Sequence, residues 1–346
     1  MEQQTLKIHQ HGSVLCFGEL LFRLSLDTNS DWLSRNNVPI FVGGAELNVA
    51  TALSLWNVSA KYFTALPDNY LTNQITGYMQ AKGIETSIYR HGSRMGLYYL
   101  ATGADMKNDS LIYDRAGSAF AELKPGMIDW EEALTDVSWL HLSAICPALN
   151  QNVAHVCREA LIAASKKGIT TSIDLNYRSK LWKYGKQPHE VIPELVQHCD
   201  VVMGNIWASE MMLGMPVEEN IHDIAIKENY LAAAVKTSEQ IAEKYPKCKA
   251  VANTFRFDNN GSMNYYTALY TGGKHYHTED HTAAKIVNKV GSGDCFMAGL
   301  IYGMYNNHGP EKTLQFATRA AFDKLFIDSD ATTHTVEEIK DSPIAR

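Results

Sequence analysis

Val290-Gly291-Ser292-Gly293-Asp294-Cys295-Phe296-Met297-Ala298-Gly299 sets a carboxylate directly behind two glycines, at the start of an apolar run long enough for a buried helix. Glycine lets backbone N–H groups turn toward an anion, and a helix start adds free amides and the positive end of the macrodipole. A phosphate suits such a place. Asp294, held beside it, could accept the proton of an attacking hydroxyl, a role worth about 10²–10⁴ in rate. On local pattern alone the plainer role stays open: Asp is a preferred helix cap, and Cys295 to Met304 needs no task beyond packing. Gly-Ser-Gly-Asp lacks the Lys-Ser/Thr pair of a Walker loop, and G-x-x-x-x-G-K-[ST] occurs nowhere in the chain.

The rest of the chain supplies the setting. Ser13 to Phe17 (SVLCF) is a short apolar run ending at Gly18, and Glu19 to Leu26 alternates enough for a strand with one solvated face. Pro39 to Val42 leads to Gly43-Gly44 and then to a helix over Ala45 to Trp56. The rhythm recurs: a strand at Lys61–Ala65 precedes a helix at Gln74–Lys82, and one at Trp139–Ser143 precedes a helix at Val153–Lys167. Thr170–Asp174, Val201–Gly204 and Ala250–Thr254 add further strands. Strands alternating with helices predict an α/β fold, a doubly wound and mostly parallel sheet covered on both faces. Between 88 and 115 the pattern changes to two short strands around the polar turn Asp105–Asp109. With residues 19–42 they are expected to form a small antiparallel sheet standing off the main body, placed to cover a site. No repeat or linker divides the chain, so one domain over 13–335 is expected, with the lid at about 19–42 and 88–115 inside it.

At 346 residues and 45% hydrophobic content the chain can bury a large core. Its net charge of −7, without a long basic run, gives no footprint for nucleic acid or an anionic membrane. The cysteines Cys16, Cys146, Cys157, Cys199, Cys248 and Cys295 show no C-x-x-C spacing, which fits a reducing compartment. Neither a signal-peptide core nor an apolar run of spanning length is present, so a cytoplasmic protein is expected.

Four segments stand in one order: Gly43-Gly44-Ala45-Glu46-Leu47-Asn48 opening a helix, the hairpin, Asp174-Leu175-Asn176-Tyr177-Arg178-Ser179-Lys180-Leu181-Trp182, and Gly291-Ser292-Gly293-Asp294. That order resembles the ribokinase-like, phosphofructokinase-B type carbohydrate kinases over nearly the whole chain, and its details look most like the 2-keto-3-deoxygluconate kinases. The resemblance implies a three-layer α/β/α sandwich with a β-sheet lid, often dimerising through the lid. It implies transfer of the ATP γ-phosphate, with Mg²⁺, to a primary sugar hydroxyl. Asp294 would be the base and Gly291, Ser292 and Gly293 the anion hole. Gly43, Gly44 and Asn48 would form the sugar entrance, the asparagine amide pairing with hydroxyls. Tyr98, Tyr113, Arg115 and Arg178 fall where such kinases surround a sugar acid, and a guanidinium suits a carboxylate. Asn205, Thr254, Arg256 and Lys324 would meet the nucleotide. A neutral-sugar kinase such as a fructokinase and a catalytically silent sugar-binding protein are the alternatives. A nicotinamide dehydrogenase is disfavoured, since Gly18 is not followed by G-x-G-x-x-G.

The chain departs from that pattern in places. Ala208 stands where the N-x-x-E element after Asn205 has its acid, and Glu210 either substitutes through water or only decorates its helix. Asn288 replaces an aspartate linked to monovalent-cation binding, so that requirement is not carried over. Asp328-Ser329-Asp330 stands where a Gly-Asp pair is common beside the adenine. His275, His277 and His281 are closely spaced, but their charged neighbours read as a solvated connection and not a metal site.

Overall fold

The computed structural model describes residues 12–26, 31–101, 111–219, 221, 226–259 and 262–346. In chain order its strands are β1 (Ser13–Phe17), β2 (Leu21–Leu26), β3 (Ile40–Gly43), β4 (Ala60–Leu66), β5 (Glu85–Arg90), β6 (Gly96–Ala101), β7 (Ile112–Asp114), β8 (Val137–Ser143), β9 (Thr170–Asp174), β10 (Val201–Gly204), β11 (Ala250–Asn259), β12 (Ser262–Thr271), β13 (Lys274–His277) and β14 (His281–Ala283). The helices are α1 (Asp31–Arg35), α2 (Ala45–Leu55), α3 (Tyr70–Ala81), α4 (Trp130–Ala133), α5 (Gln151–Lys166), α6 (Pro188–Val196), α7 (Ile206–Leu213), α8 (Lys227–Lys244), α9 (Ser292–Tyr305), α10 (Pro310–Lys324) and α11 (Val336–Asp341).

The main sheet runs β13-β12-β11-β10-β9-β8-β1-β4-β5, with β14 also on β12. From β11 to β5 every pairing is parallel, and β12, β13 and β14 extend the sheet antiparallel. SVLCF shows why β1 lies at the centre. With a period of two, Val14 and Cys16 face a core packed with α2, α3, α9 and α10, while Leu15 and Phe17 face one packed with α5, α6 and α7. A strand apolar on both faces is stable only between two helical layers. Each such side chain fully buried contributes about 1.5–3 kcal/mol. Chain order reverses beside β1, which leads outward through β4 to β5 on one side and meets β8 to β11 on the other. That reversal opens a crevice at the strands' C-terminal ends.

α9 is buried continuously from Asp294 to Ile301, as its unbroken apolar character requires. Helix starts lie earlier than the apolar periodicity suggests, because polar caps set them. Asn69 accepts from Thr72 N at 3.1 Å and opens α3, and Asn150 accepts from Val153 N at 3.0 Å and opens α5.

The second sheet, β3-β2-β6-β7, corrects the expectation of an antiparallel lid. Its outer pairs are antiparallel, but β2 and β6 at its centre run parallel. They can meet that way because four elements of the main body, α2, β4, α3 and β5, separate them in the chain, so no tight hairpin turn has to join them. Residues 88–90 belong instead to β5 of the main sheet, and the turn Asp105–Asp109 lies outside the described residues. The histidine segment expected as a connection forms β13 and β14, with His275 Nε2 3.1 Å from Glu239 Oε1. Ordered structure continues past 335 into α11, where Ile339 is fully buried.

Candidate active site

A cleft of about 710 Å³ lies at the C-terminal ends of the parallel strands, beneath the lid sheet. Gly44, Asn48, Tyr98, Tyr113, Arg115, Arg178, Asn205, Thr254, Arg256 and the bend Gly291 to Asp294 all line it. Residues from opposite ends of the chain thus share one wall.

Gly291 caps α9 in the left-handed region at φ 77°, and a β-carbon there would fall 1.8 Å from the carbonyl oxygen of Asp330. Only glycine fits both constraints. The amides of Ser292, Gly293 and Asp294 belong to the first helical turn, where no carbonyl of the helix precedes them, so they are available to an anion. Gly44, at φ 145° before α2, is equally required, since a side chain there would meet the Glu19 carbonyl at 2.7 Å.

Asp294 is 8% exposed. Asn48 Nδ2 donates to its Oδ2 at 2.7 Å, which leaves Oδ1 for a substrate proton. Burial pushes the Asp294 carboxyl up to about 8; the Asn48 bond opposes this, the charges of Asp174 and Glu46 reinforce it, and Arg178 opposes it. Asp174, at the end of β9, is raised to about 7 by the same burial, against hydrogen bonding from Asn176. Glu46 is raised by burial although Ser143 donates to it through both N and Oγ, at 2.8 and 2.6 Å. Burial thus raises all three carboxylates, and it brings Asp294 and Asp174 to about 8 and about 7, near the pH at which a general base works best. Asn48 lines the cleft as expected for a sugar contact, and one N–H of its amide is already engaged by Asp294.

Arg115 also departs from expectation. It is 5% exposed, and its Nε donates to Glu19 Oε2 at 2.5 Å, with Nη2 at the same distance from that oxygen. Ser118 Oγ donates to the other Glu19 oxygen at 2.5 Å. The guanidinium reserved by sequence reasoning for a ligand's carboxylate thus has a carboxylate of its own. Arg178, in the segment after β9, is half-buried on the cleft wall. In the same cleft the Tyr113 hydroxyl is buried without a hydrogen-bond partner, beside Tyr98 with ring centroids 6.3 Å apart. A buried hydroxyl left unsatisfied at a cleft wall is a polar group that an incoming ligand can complete.

Thr254 and Arg256 on β11 and Lys289 before Gly291 add polar and cationic groups to the lining, Lys289 donating to Asp258 Oδ2 at 2.9 Å. Asn205 lines the cleft while its Oδ1 caps α7 by accepting from Ala208 N at 2.8 Å. Glu210 accepts from Val217 N at 3.1 Å, a bond within its own surroundings. Asn288 Oδ1 accepts from Val290 N at 2.9 Å and so shapes the approach to the bend. Two expected residues do not reach the cleft wall. Gly43 lies beneath the Asp330 carboxylate, whose Oδ2 would be 3.0 Å from a β-carbon there. Lys324 is fully buried at the end of α10, and its Nζ donates to Ile327 O at 3.1 Å. The resemblance placed it at the nucleotide, but its position at the end of α10 turns it inward.

Sequence reasoning missed Glu19, Glu46 and Arg23 and did not foresee that Asp330 is buried with Arg23; all four charges are buried, and Glu19 and Glu46 line the cleft. Glu19 and Glu46 lie beside glycines that it did identify, and a carboxylate in an apolar segment next to a ligand loop was the available signal.

Comparison with known proteins gives a consistent picture. The model of the pfkB family of carbohydrate kinases matches residues 12–322. The crystal structure of a 2-dehydro-3-deoxygluconokinase from Thermotoga maritima superposes with a TM-score of 0.84 at 32% identity, covering 95% of this chain and 98% of that one. A 2-dehydro-3-deoxygalactonokinase of Haloferax volcanii is 33% identical over 170 residues, about half of either chain (49% and 53%). A 5-dehydro-2-deoxygluconokinase of Geobacillus thermodenitrificans is 25% identical over 307 residues, 86% of this chain and 84% of that protein. With a mostly parallel α/β sheet, a separate lid sheet and a glycine bend ending in a buried aspartate, the chain belongs to the pfkB family of carbohydrate kinases.

Proposed function

We propose that this protein transfers the γ-phosphoryl group of ATP to the terminal hydroxyl of 2-keto-3-deoxygluconate. The observation that carries this reading is a buried aspartate raised to about 8 at the Gly291–Gly293 bend, in the same cleft as Arg178 and the unpaired Tyr113 hydroxyl. The relatives named above, each named for a dehydro-deoxy sugar acid, support the substrate class.

In this reading Arg178 holds the sugar carboxylate by charge-assisted hydrogen bonds, and Tyr113 completes its hydrogen bonding on the sugar. Asp294 Oδ1 takes the hydroxyl proton, the freed oxygen bonds to the γ-phosphorus, and the bond from that phosphorus to ADP breaks. The amides after Gly291 stabilise the charge on the moving group, the term that usually dominates such catalysis. The pair Arg115–Glu19 shapes the wall and fixes the end of β7 to β1. No group of three or more His, Cys, Asp or Glu side chains among the described residues is arranged to hold a metal. Mg²⁺ therefore fits as an ion carried by phosphate oxygens and water, supplying charge neutralisation. Thr254, Arg256, Lys289 and Asn205 are the groups offered to the nucleotide.

Exposed Leu33, Ile40 and Ile112 in the lid segments support a homodimer through the lid, which sedimentation of Ile40→Glu and wild type would test. Six free, buried cysteines suit a cytoplasmic setting, and no helix among the described residues is long and apolar enough to cross a membrane. A coupled ADP-release assay across sugar acids and neutral sugars tests the substrate. Turnover is expected with 2-keto-3-deoxygluconate, and equal or faster turnover of fructose or ribose would overturn the assignment.

A further inference from the structure

Arg23, Phe41 and Tyr98 are register partners on three adjacent lid strands, Arg23 opposite Phe41 on β3 and opposite Tyr98 on β6. Arg23 and Tyr98 converge on one residue of the main body, Asp330, and Phe41 packs against Arg23. Arg23, 3% exposed, donates to Asp330 through Nε at 2.9 Å and Nη2 at 2.6 Å, and its guanidinium lies 3.8 Å over the Phe41 ring. Tyr98 Oη donates to Asp330 Oδ2 at 3.4 Å. The other end of Asp330 faces the catalytic bend, since its carbonyl oxygen occupies the space a side chain at Gly291 would need. The loop that carries it is pinned at its root. Leu325 O accepts from Val287 N and Asn288 N at 2.8 and 3.1 Å, and the buried Lys324 ammonium donates to Ile327 O at 3.1 Å.

A buried ion pair seldom adds net stability over an apolar replacement of similar volume, but a guanidinium fork on a carboxylate fixes angle and lateral position as apolar contact does not. We propose that Arg23 and Asp330 are a positioning pair for phosphoryl transfer, through which the lid sheet and Tyr98 are indexed to the Gly291 bend. This rests on the kinase reading given above. Because Tyr98 gives its proton to Asp330, its oxygen is left as an acceptor for a sugar hydroxyl. The lid strands and the anion hole then share one reference point, and a shift of about 1 Å between them would be felt as a loss in rate near 10²-fold.

Two variants test the pair. Arg23→Lys keeps the charge and loses the fork. The double variant Arg23→Met with Asp330→Leu removes both charges and restores apolar packing. The readouts are steady-state kinetics, ADP formed per sugar phosphate, and hydrogen exchange of the amides at 292–295 and 96–101. Arg23→Lys is expected to lower kcat about tenfold or more with the ATP KM within about twofold, to release ADP without transfer, and to exchange faster at 292–295. The double variant is expected to keep wild-type thermal stability yet show the same kinetic loss. Wild-type kcat and unchanged exchange in the Lys variant would overturn the proposal, as would a double variant that is fully active once folded. If the double variant does not fold, the Lys variant decides. If the wild type phosphorylates no sugar acid, the kinase substrate assignment fails, while exchange at 292–295 still tests the coupling.

Discussion

Replacing Asp294 by asparagine separates the proposed catalytic carboxyl from its own energetic penalty. The carboxyl is held at about 8 in the folded protein against an ordinary 3.8, so the folded state keeps a proton that the unfolded chain releases. The stability contributed by a raised group is present in full below the unfolded value and is lost as pH rises through the folded one. Between about pH 4 and pH 8, wild type should therefore lose about 1.4 kcal/mol per pH unit relative to the variant, whose amide does not titrate. From pH 5 to pH 7 the gap should widen by about 2.7 kcal/mol, which urea denaturation at three pH values resolves. The carboxamide oxygen introduced by Asp294→Asn can still accept the Asn48 hydrogen bond, so the geometry survives while the base is lost. Activity should fall about 10²–10⁴-fold. The wild-type kcat/KM should rise with pH toward about 8, as the base of the free enzyme ionises. Parallel stability profiles for the two proteins would refute the assignment of a buried, proton-holding base at this position, whatever the activity did.

Arg178→Met should raise the sugar-acid KM about 10–100-fold, the equivalent of one charge-assisted hydrogen-bonded contact, and leave the ATP KM unchanged; equal effects on both would argue against a carboxylate contact. Tyr113→Phe removes a buried hydroxyl that has no partner in the protein, so thermal stability should hold or rise while the sugar KM increases; a clear loss of stability would show that the hydroxyl is already satisfied. Glu19→Gln leaves Arg115 buried without its carboxylate and should destabilise by about 3–5 kcal/mol in a denaturant titration, and a loss under about 1 kcal/mol would contradict the buried pairing.

The layers of this fold could be read from local pattern because each parallel strand announces itself. A run such as SVLCF is apolar at nearly every position, and the residues after it supply a turn and a helix. The glycine bend was legible for a related reason. A left-handed Gly291 and a helix beginning at Ser292 are conformational needs of a few consecutive residues, and local needs leave local traces. The parallel pairing of β2 with β6 left none. The chain passes through β3, α2, β4, α3 and β5 between them, and nothing in either strand records which way the other runs.

Charges were misread where their partners lie far away in the chain. Glu19 reaches Arg115 across 96 positions and Arg23 reaches Asp330 across 307, so each looked like a solvated side chain or a free ligand contact. The same distance effect governs the carboxyl of Asp294. Asp294 in its own segment is a common helix-start acid with an ordinary affinity for protons. Its proton affinity is raised to about 8, as the proposed base requires, through burial beneath the lid and the nearness of Asp174 and Glu46, which arrive from β9 and α2. Function at this site therefore belongs to the assembly of segments. A substitution at Glu46 that touched no substrate should still move the pH at which Asp294 acts, lowering it when the negative charge is removed.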